Sequence, residues 1–197
     1  MVAGLTGVAI LAAGLGSRFD GSCHKLLAPV DGTPLVDRTF SAVSGSGLAP
    51  VAVVVSRADV AARIPYGFFT LWNRNPEAGM AASLALAAEW AAGAGVEFLL
   101  VVLGDQPLVQ SACLRALAQE RMSDLAIPVY SGRRGNPVRV RRSLLDRLPR
   151  IGDVGARLLF DDSSLDVVEV ECTGDPLDVD TVADLERLSR RLSKREE

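Results

Sequence analysis

Apolar runs alternate with polar, glycine-rich breaks along the chain, and this pattern predicts strands that alternate with helices. Continuous apolar runs typical of buried strands lie at residues 6–11, 51–55, 97–103 and 125–130, with shorter ones at 68–72, 138–140 and 167–170. Helices are predicted at residues 34–43, with Thr33 as N-cap, and at 80–92, 109–119, 143–148, 155–160 and 181–192. This order predicts a three-layer α/β/α fold with a mainly parallel (mixed) Rossmann-like sheet, in which the run 97–103 is central.

Three loops follow predicted strands, at residues 12–25, 73–79 and 104–107, and we expect them to meet at one edge of the sheet. The first begins with little side-chain bulk at residues 11–16, so a ligand can approach the backbone and amide groups can face an anion. Arg18 and Lys25 follow, seven residues apart, where both can hold one polyphosphate. A dinucleotide fingerprint and a Walker loop are both excluded, because Phe19 replaces the third glycine and Leu26 follows the lysine.

Asp105 stands at the tip of the most apolar predicted strand. A carboxylate in that position is costly unless a group binds it, and Mg²⁺ takes one or two carboxylates together with water and phosphate oxygens. The alternative is a turn aspartate that caps the next helix, with Pro107 in its first turn. The two interpretations are about equal on this residue alone, and the phosphate loop at the same edge favours the metal.

Composition narrows the classes of protein. The chain has 197 residues, of which 49% are apolar. This length and composition suit one domain, residues 1–197, with an ample core. The net charge of −3 gives no general attraction to nucleic acid or membrane, and no apolar run reaches the roughly twenty residues of a membrane span. The first apolar stretch has no basic region before it, so we expect no secretion signal and a cytoplasmic protein. Three widely spaced cysteines, Cys23, Cys113 and Cys172, are expected to be reduced thiols.

Six short motifs in order resemble those of the MobA-like nucleotidyltransferases, most closely the branch that contains molybdenum cofactor cytidylyltransferase. They are Leu11-Ala12-Ala13-Gly14-x-Gly16-x-Arg18 with Lys25-Leu26-Leu27, Asn73-x-Asn75-Pro76-Glu77-x-Gly79-Met80-x-x-Ser83-Leu84, Leu103-Gly104-Asp105-Gln106-Pro107, Gly132-Arg133-Arg134-Gly135-Asn136-Pro137, Gly152-Asp153-x-Gly155-Ala156-Arg157 and Asp178-Val179-Asp180-Thr181-x-x-Asp184. Each motif alone is weak, whereas six in family order are specific. The resemblance implies a sheet of the nucleotide-diphosphosugar transferase type.

The resemblance also implies roles for the matching residues. The catalytic residues are Lys25, Arg18 and Asp105. The nucleotide is bound by Leu11, Ala12, Ala13, Gly14, Leu15, Gly16, Asn73, Gly79 and Ser83. Without the neighbouring loops, Ser83 would be interpreted as an ordinary helix serine. The acceptor is bound by Arg133, Gly135, Asn136, Pro137 and Asp153. The metal is bound by Asp105 and Asp180, with Asp153 and Asp178 as open alternatives for the second ligand.

Two positions depart from the family pattern, and one segment carries unusual charge. His24 precedes Lys25 where asparagine, aspartate or proline is more usual, and Phe19 replaces a methionine. We interpret His24 as a solvated loop histidine, with a phosphate contact as the alternative, and Phe19 as a packing residue. Arginines crowd the segment 133–150, which borders the predicted acceptor turn, and part of this segment is expected to hold a phosphorylated acceptor.

The predicted reaction is nucleotidyl transfer with Mg²⁺ as cofactor. The Leu-Ala-Ala-Gly form of the loop resembles cytidylyltransferases, and the Ala13 methyl narrows the space for a purine, so CTP is favoured as the NTP. The resemblance implies molybdenum cofactor as the phosphorylated small-molecule acceptor and a molybdenum hydroxylase as a partner. The alternatives are a GTP-using or sugar-phosphate nucleotidyltransferase and, from another class, a non-catalytic maturation partner of such a hydroxylase.

Overall fold

The computed structural model describes residues 4–153 and 155–193, which form a mixed sheet between two layers of helices. The strands are β1 (Thr6–Ala12), β2 (Pro29–Val30), β3 (Thr33–Pro34), β4 (Val51–Val55), β5 (Phe69–Trp72), β6 (Phe98–Leu103), β7 (Leu125–Tyr130), β8 (Arg133–Arg134), β9 (Val138–Arg141) and β10 (Val167–Glu171). The helices are α1 (Leu35–Ser46), α2 (Ala58–Ala61), α3 (Met80–Gly93), α4 (Ser111–Gln119) and α5 (Val182–Ser193). Short 3₁₀ helices span Lys25–Leu27, Pro76–Ala78, Arg142–Arg147 and Gly155–Leu159.

The main sheet has the strand order β10-β7-β9-β6-β1-β4-β5, with β8 paired to β7. The pairs β1–β4, β1–β6, β4–β5 and β7–β10 are parallel, whereas β9 runs antiparallel between β6 and β7. Helical crossovers join the parallel strands, which buries both faces of the sheet. The predicted three-layer, mainly parallel fold is confirmed, and so is the inner position of β6.

Alternate residues of the central strand β1 point to two separate cores. Val8 and Ile10 belong to a cluster with residues of α1, α4 and α5, whereas Ala9 and Leu11 belong to a cluster with α3 and the two later 3₁₀ helices. Because side chains alternate across a strand, one unbroken apolar run serves both layers. This explains why β4 and β6 carry no polar residue and β1 carries none after Thr6.

Element boundaries follow the predictions, with instructive exceptions. The predicted strands 51–55 and 125–130 match β4 and β7 residue for residue. The prediction that Thr33 caps α1 is wrong, because Thr33 pairs with Val30 in a small hairpin and Pro34 occupies the N-cap without a side-chain hydrogen bond. Helix α1 continues through Gly45 to Ser46, since its last turn packs on α4, where Ser111 Oγ bonds to Ala42 O. Here tertiary packing overrides the low helix propensity of glycine.

The cysteines differ from the sequence expectation. Cys113 on α4 and Cys172 after β10 form a disulfide, with their Cα atoms 5.2 Å apart and a sequence separation of 59. The expectation of three reduced thiols is therefore wrong for this pair, because the fold lays α4 against the end of β10, which spacing alone does not reveal. Cys23 is free and exposed.

Within residues 4–153 and 155–193, no helix combines the length and the apolar character needed to cross a bilayer. The chain's apolar stretches are instead used in the sheet and the helices that cover it.

Candidate active site

The carboxyl ends of β1, β4 and β6 lie side by side and position the loops that the sequence singled out. The end of β6 meets the end of β1 through a hydrogen bond from Gly104 N to Leu11 O. A Cβ at position 104 would lie 3.1 Å from that same oxygen and from Ala12 Cβ, so only glycine fits without displacing β1. This close contact fixes the next residue, Asp105, beside the glycine-rich loop.

A cleft of about 750 Å³ opens at this edge. It is lined by most of the predicted site residues: Leu11, Ala12, Ala13, Gly14, Leu15, Gly16, Arg18, Lys25, Gly79, Ser83, Asp105, Asn136, Asp153 and Asp180. Asn73, Arg133, Gly135 and Pro137 are predicted site residues that are absent from this lining. The cleft is large enough for a nucleotide together with part of a second substrate.

Lys25 is the centre of the charged cluster in this cleft. Its Nζ lies 2.7 Å from Asp105 Oδ2 and 3.0 Å from Asp180 Oδ1, and only 8% of the residue is exposed. The other oxygen of Asp180 lies 2.9 Å from Nη2 of Arg18, whose side chain is 75% exposed. Lys25 is thus held in one position, whereas Arg18 is a surface cation that can turn toward a ligand at little cost.

The acidic segment that carries Asp180 is attached to the Asp105 loop by two further bonds. Val179 N donates to Asp105 O at 3.1 Å, and Gln106 Nε2 donates to Asp178 Oδ1 at 2.6 Å. Gln106 is buried, so this amide fixes both segments. Sequence reasoning gave Gln106 no function, although its place in the Leu-Gly-Asp-Gln-Pro motif was a usable signal.

Burial and neighbouring charge oppose each other at Lys25 and act together at Asp178. Burial lowers the pKa of Lys25, but the adjacent Asp105 and Asp180 carboxylates outweigh it, so the pKa is raised and the ammonium stays charged. Burial raises the pKa of Asp178, and the negative charge of Asp105 adds to that effect. Two carboxylates thus contact one buried ammonium, and a third, Asp178, lies close enough to Asp105 for their charges to interact.

This crowding fits a divalent cation. Asp105 and Asp180 each present one carboxylate oxygen to Lys25 Nζ, and both residues line the cleft beside the loop proposed to hold phosphate. Among the residues that the structure describes, no group of three or more His, Cys, Asp or Glu side chains forms a ready cage for a metal. Mg²⁺ does not need one, because it is typically held by one or two carboxylates together with water and substrate phosphates.

On the side predicted to contact the base, Asn73 and Ser83 contact each other. Asn73 Nδ2 donates to Ser83 Oγ at 3.0 Å and its Oδ1 accepts from Asn75 N at 2.9 Å. Both side chains are buried, and Ser83 but not Asn73 reaches the cleft wall. Asn73 therefore holds the 73–79 loop in shape, which is a supporting contribution to the site.

Asp153 reaches α3 from a distant part of the chain. Its Oδ1 accepts from Met80 N at 2.9 Å and so caps the first turn of α3. A Cβ on Gly79, which has φ +85°, would lie 2.6 Å from the same oxygen. Gly79 is thus required by both its backbone conformation and this contact. The carboxylate predicted to bind the acceptor is already engaged in a structural bond.

The predicted acceptor turn lies at the far side of the cleft. Asn136 lines the cleft, whereas Arg133 on β8 is exposed and outside the lining. Gly135 is packed against Tyr130 and Pro176, and Tyr130 Oη donates to Asn136 O at 2.8 Å. Burial raises the pKa of Tyr130, so the phenol stays protonated as this donor.

The arginines of β9 lie outside the cleft lining, so any part of the arginine-rich segment that holds the acceptor lies elsewhere in that segment. Arg141 pairs in register with Phe98 at the start of β6, which is the opposite end of the strand from Asp105. Arg139 is fully buried, donates to Ser123 Oγ at 2.6 Å and stacks 4.2 Å from the centre of the Phe98 ring. Burial lowers its pKa to about 10. These side chains stabilise the sheet.

His24 is also placed differently from the prediction. The ring is partly buried, with Nε2 3.0 Å from Gly14 O and Nδ1 accepting from Leu26 N at 3.4 Å. The ring is therefore less solvated than the interpretation as a solvated loop residue implies. Phe19 packs against the α1 core cluster, as predicted.

Fold and cleft together define a Rossmann-like α/β protein. A glycine-rich loop and a pair of carboxylates lie at the carboxyl edge of its sheet. Residues 8–167 match the model of the MobA-like NTP transferase domain, and the chain belongs to this family of nucleotidyltransferases. The predicted family is confirmed.

Individual relatives agree with this assignment. The chain is 37% identical over 133 residues to the bifunctional protein GlmU of Brucella anthropi, which covers 65% of this chain and 29% of that protein. The matched region is less than a third of the length of this relative. Rv0371c from Mycobacterium tuberculosis H37Rv is 27% identical, with a TM-score of 0.81 over 96% of this chain and 100% of that one. That protein has also been solved in complex with manganese. A Methanothermobacter nucleotidyl transferase, 22% identical, shares the fold with a TM-score of 0.82 over 97% of this chain and 99% of that one.

Proposed function

We propose that this chain is a nucleotidyltransferase domain that transfers a nucleotide from an NTP to a phosphorylated acceptor and releases pyrophosphate. The observation that carries the proposal is the position of Lys25, whose buried ammonium lies between Asp105 and Asp180 in the same cleft as the glycine-rich loop. A fixed cation beside a backbone loop is suited to a reaction in which negative charge moves between phosphates.

The chemistry requires alignment and neutralisation of charge. An oxygen of the acceptor phosphate attacks the α-phosphorus of the NTP, a new P–O bond forms, and the bond to the pyrophosphate oxygen breaks. Lys25 is assigned to the charge that develops at the α-phosphoryl group, and Arg18, which is exposed and free to turn, to the leaving pyrophosphate. Backbone amides of residues 13–16 hold the polyphosphate. The acceptor phosphate is already ionised, so no general base is needed.

Asp105 and Asp180 are the proposed ligands of Mg²⁺. Their carboxylates would hold the ion, which would supply positive charge to neutralise the substrate phosphates. The manganese complex of the M. tuberculosis relative supports a divalent ion in this family member. Asp178 is the nearby carboxylate that remains as a further candidate, because Gln106 already fixes it beside Asp105.

We propose CTP as the favoured nucleotide and molybdenum cofactor as the acceptor, with a molybdenum hydroxylase as the recipient. The nucleotide choice is supported by Ala13, which lines the cleft and whose carbonyl accepts from Ser56 Oγ at 3.0 Å. This bond fixes the loop backbone at Ala13, and the proposal is that the methyl there restricts the space for a larger base. Discrimination by one methyl is worth about 1–3 kcal/mol.

A sugar phosphate is the second candidate acceptor. The glycine-rich first loop, residues 11–16, favours it, because sugar-phosphate nucleotidyltransferases share this loop. A GTP-using transferase and a non-catalytic maturation partner of a molybdenum hydroxylase are the remaining alternatives.

Release of pyrophosphate separates these candidates. Purified protein with Mg²⁺ is mixed with each NTP in turn, together with molybdenum cofactor or a panel of sugar 1-phosphates. We expect release with CTP and molybdenum cofactor, and loss of release in Asp105→Asn. If pyrophosphate is released only with a sugar phosphate, the acceptor is a sugar phosphate and not molybdenum cofactor. If it is released with GTP and not with CTP, the nucleotide is GTP. Binding of CTP and cofactor without release of pyrophosphate would support the maturation partner.

A further inference from the structure

His24 connects two parts of the site whose relative position must stay fixed for the proposed reaction. Its Nε2 lies 3.0 Å from the carbonyl of Gly14 in the glycine-rich loop, and its Nδ1 accepts from Leu26 N, one residue beyond Lys25. It is the only histidine of the chain. The imidazole therefore joins the phosphate loop to the short helix that carries the buried ammonium.

These two hydrogen bonds require one protonation state. A carbonyl oxygen only accepts, so Nε2 must carry a proton, and an amide only donates, so Nδ1 must be unprotonated. The neutral tautomer with its proton on Nε2 satisfies both bonds. A second proton, on Nδ1, removes the acceptor for Leu26 N–H and leaves only the bond to Gly14.

The bond to Leu26 matters for the direction of Lys25. His24 is the N-cap of the 3₁₀ helix Lys25–Leu27, and its own carbonyl accepts from Leu27 N at 2.8 Å. A helix of three residues has few bonds, so the loss of the cap changes the backbone at Lys25 directly. Since Nζ contacts both aspartates from the end of a four-carbon chain, a small change of backbone direction moves the ammonium out of position.

The groups that face the ring are Lys25 on its own segment and the pair Arg57 and Asp59 at α2. Arg57 and Lys25 disfavour a second proton and Asp59 favours one. Burial is the largest influence, and the pKa of His24 is lowered below its usual 6.5.

We propose that His24 is a positioning residue whose neutral form holds the glycine-rich loop and Lys25 in register, so that its protonation lowers turnover without weakening nucleotide binding. This inference rests on the proposed nucleotidyl transfer. The protonated ring adds positive charge near the polyphosphate, so KM for the nucleotide is expected to stay flat or fall in acid, whereas kcat falls. A residue with a merely structural role would not separate the two parameters in this way.

The variants His24→Asn and His24→Ala remove one bond and both bonds, respectively. Asparagine keeps a capping oxygen for Leu26 N–H, does not reach Gly14 and does not titrate, whereas alanine loses both bonds. We expect kcat to fall about threefold in the first and about tenfold in the second, in line with one and two modest hydrogen bonds, and KM to change less. Ser22→Ala, at an exposed position of the same loop, is the matched control. Thermal unfolding of each variant identifies any loss of folding.

The pH profile and the NMR signal of the single histidine decide the outcome. In the wild type we expect kcat to decline in acid below about pH 6.5 and the ¹⁵N shifts to report a proton on Nε2, while His24→Asn lacks that acid decline. An unchanged acid decline in His24→Asn, or a proton on Nδ1 in the neutral ring, would overturn the inference. The NMR result does not depend on turnover, so a protein with the expected tautomer but no transfer activity would refute the proposed function and leave the link between loop and helix standing.

Discussion

The ammonium of Lys25 lies 2.7 Å from the carboxylate of Asp105, although 80 positions separate the two residues in the chain. The contact exists because β1 and β6 are parallel neighbours and their loops leave the same edge of the sheet. It places the proposed phosphate-binding cation and the proposed metal-binding carboxylate in one cleft.

Loss of either partner should reduce turnover by at least about 100-fold, because each neutralises charge at the reacting phosphates. Lys25→Met keeps the apolar stem and Asp105→Asn keeps the shape of the side chain, so both remove charge with little change in packing. Initial rates of pyrophosphate release measure the effect. Arg190→Ala, an exposed cation on α5, is the control and should keep the wild-type rate. Near-normal rates in both variants would refute the assigned roles.

Removal of the metal should abolish activity and leave the fold intact, because the ammonium of Lys25 contacts Asp105 and Asp180 directly and balances their charge. We expect EDTA to stop pyrophosphate release, added Mg²⁺ or Mn²⁺ to restore it, and far-UV circular dichroism to remain unchanged. Calorimetric titration with Mn²⁺ should show weaker binding in Asp180→Asn. The matched control is Asp161→Asn, since the side chain of Asp161 is 96% exposed. Equal affinity in both variants would remove Asp180 from the metal site and leave Asp178 as the remaining neighbour to test.

The balance between CTP and GTP should depend on the methyl group of Ala13. Ala13→Gly opens the loop without altering the carbonyl that accepts from Ser56. We expect the ratio of kcat/KM for CTP over GTP to fall by about 10- to 100-fold, the range that one methyl commonly supplies. Competition between the two nucleotides in one reaction measures it. Ala42→Gly, a small-residue change on α1, controls for the loss of a methyl elsewhere. A ratio that does not move would show that the base is selected by other residues.

Much of this site was predictable from the sequence because it depends on local features. The glycine-rich loop, the acid at the tip of an apolar strand and the order of the strands are all visible in the chain, and together they place Lys25 near Asp105. The bonds of Asp153 to α3 and of His24 to Gly14 were not predictable, because the first depends on how a distant turn packs on a helix and the second on how one loop folds back on itself. No short-range pattern specifies which backbone group a loop side chain will meet.

The arginines of β9 show a different limit of prediction from the sequence. The alternation Val138-Arg139-Val140-Arg141 correctly indicates a strand with two unlike faces. The sequence does not show that other elements cover the side of the strand on which the arginines lie. In the structure α4 packs near β9 and Phe98 provides a ring beneath both guanidinium groups. Arg139 is therefore a buried structural residue, although it lies in the segment expected to border the acceptor.

The disulfide between Cys113 and Cys172 should contribute to stability, because it closes a long loop between α4 and the acidic segment after β10. With a separation of 59 positions, its loss should lower the free energy of unfolding by about 3–4 kcal/mol. Urea unfolding with and without a dithiol measures this difference, and alkylation under native, oxidised conditions should label only Cys23. Cys113→Ser should behave like the reduced protein, whereas Cys23→Ser should remain sensitive to the dithiol. If Cys113 and Cys172 are both labelled without a reductant and the dithiol changes nothing, the two thiols are unpaired and the original expectation of reduced cysteines stands.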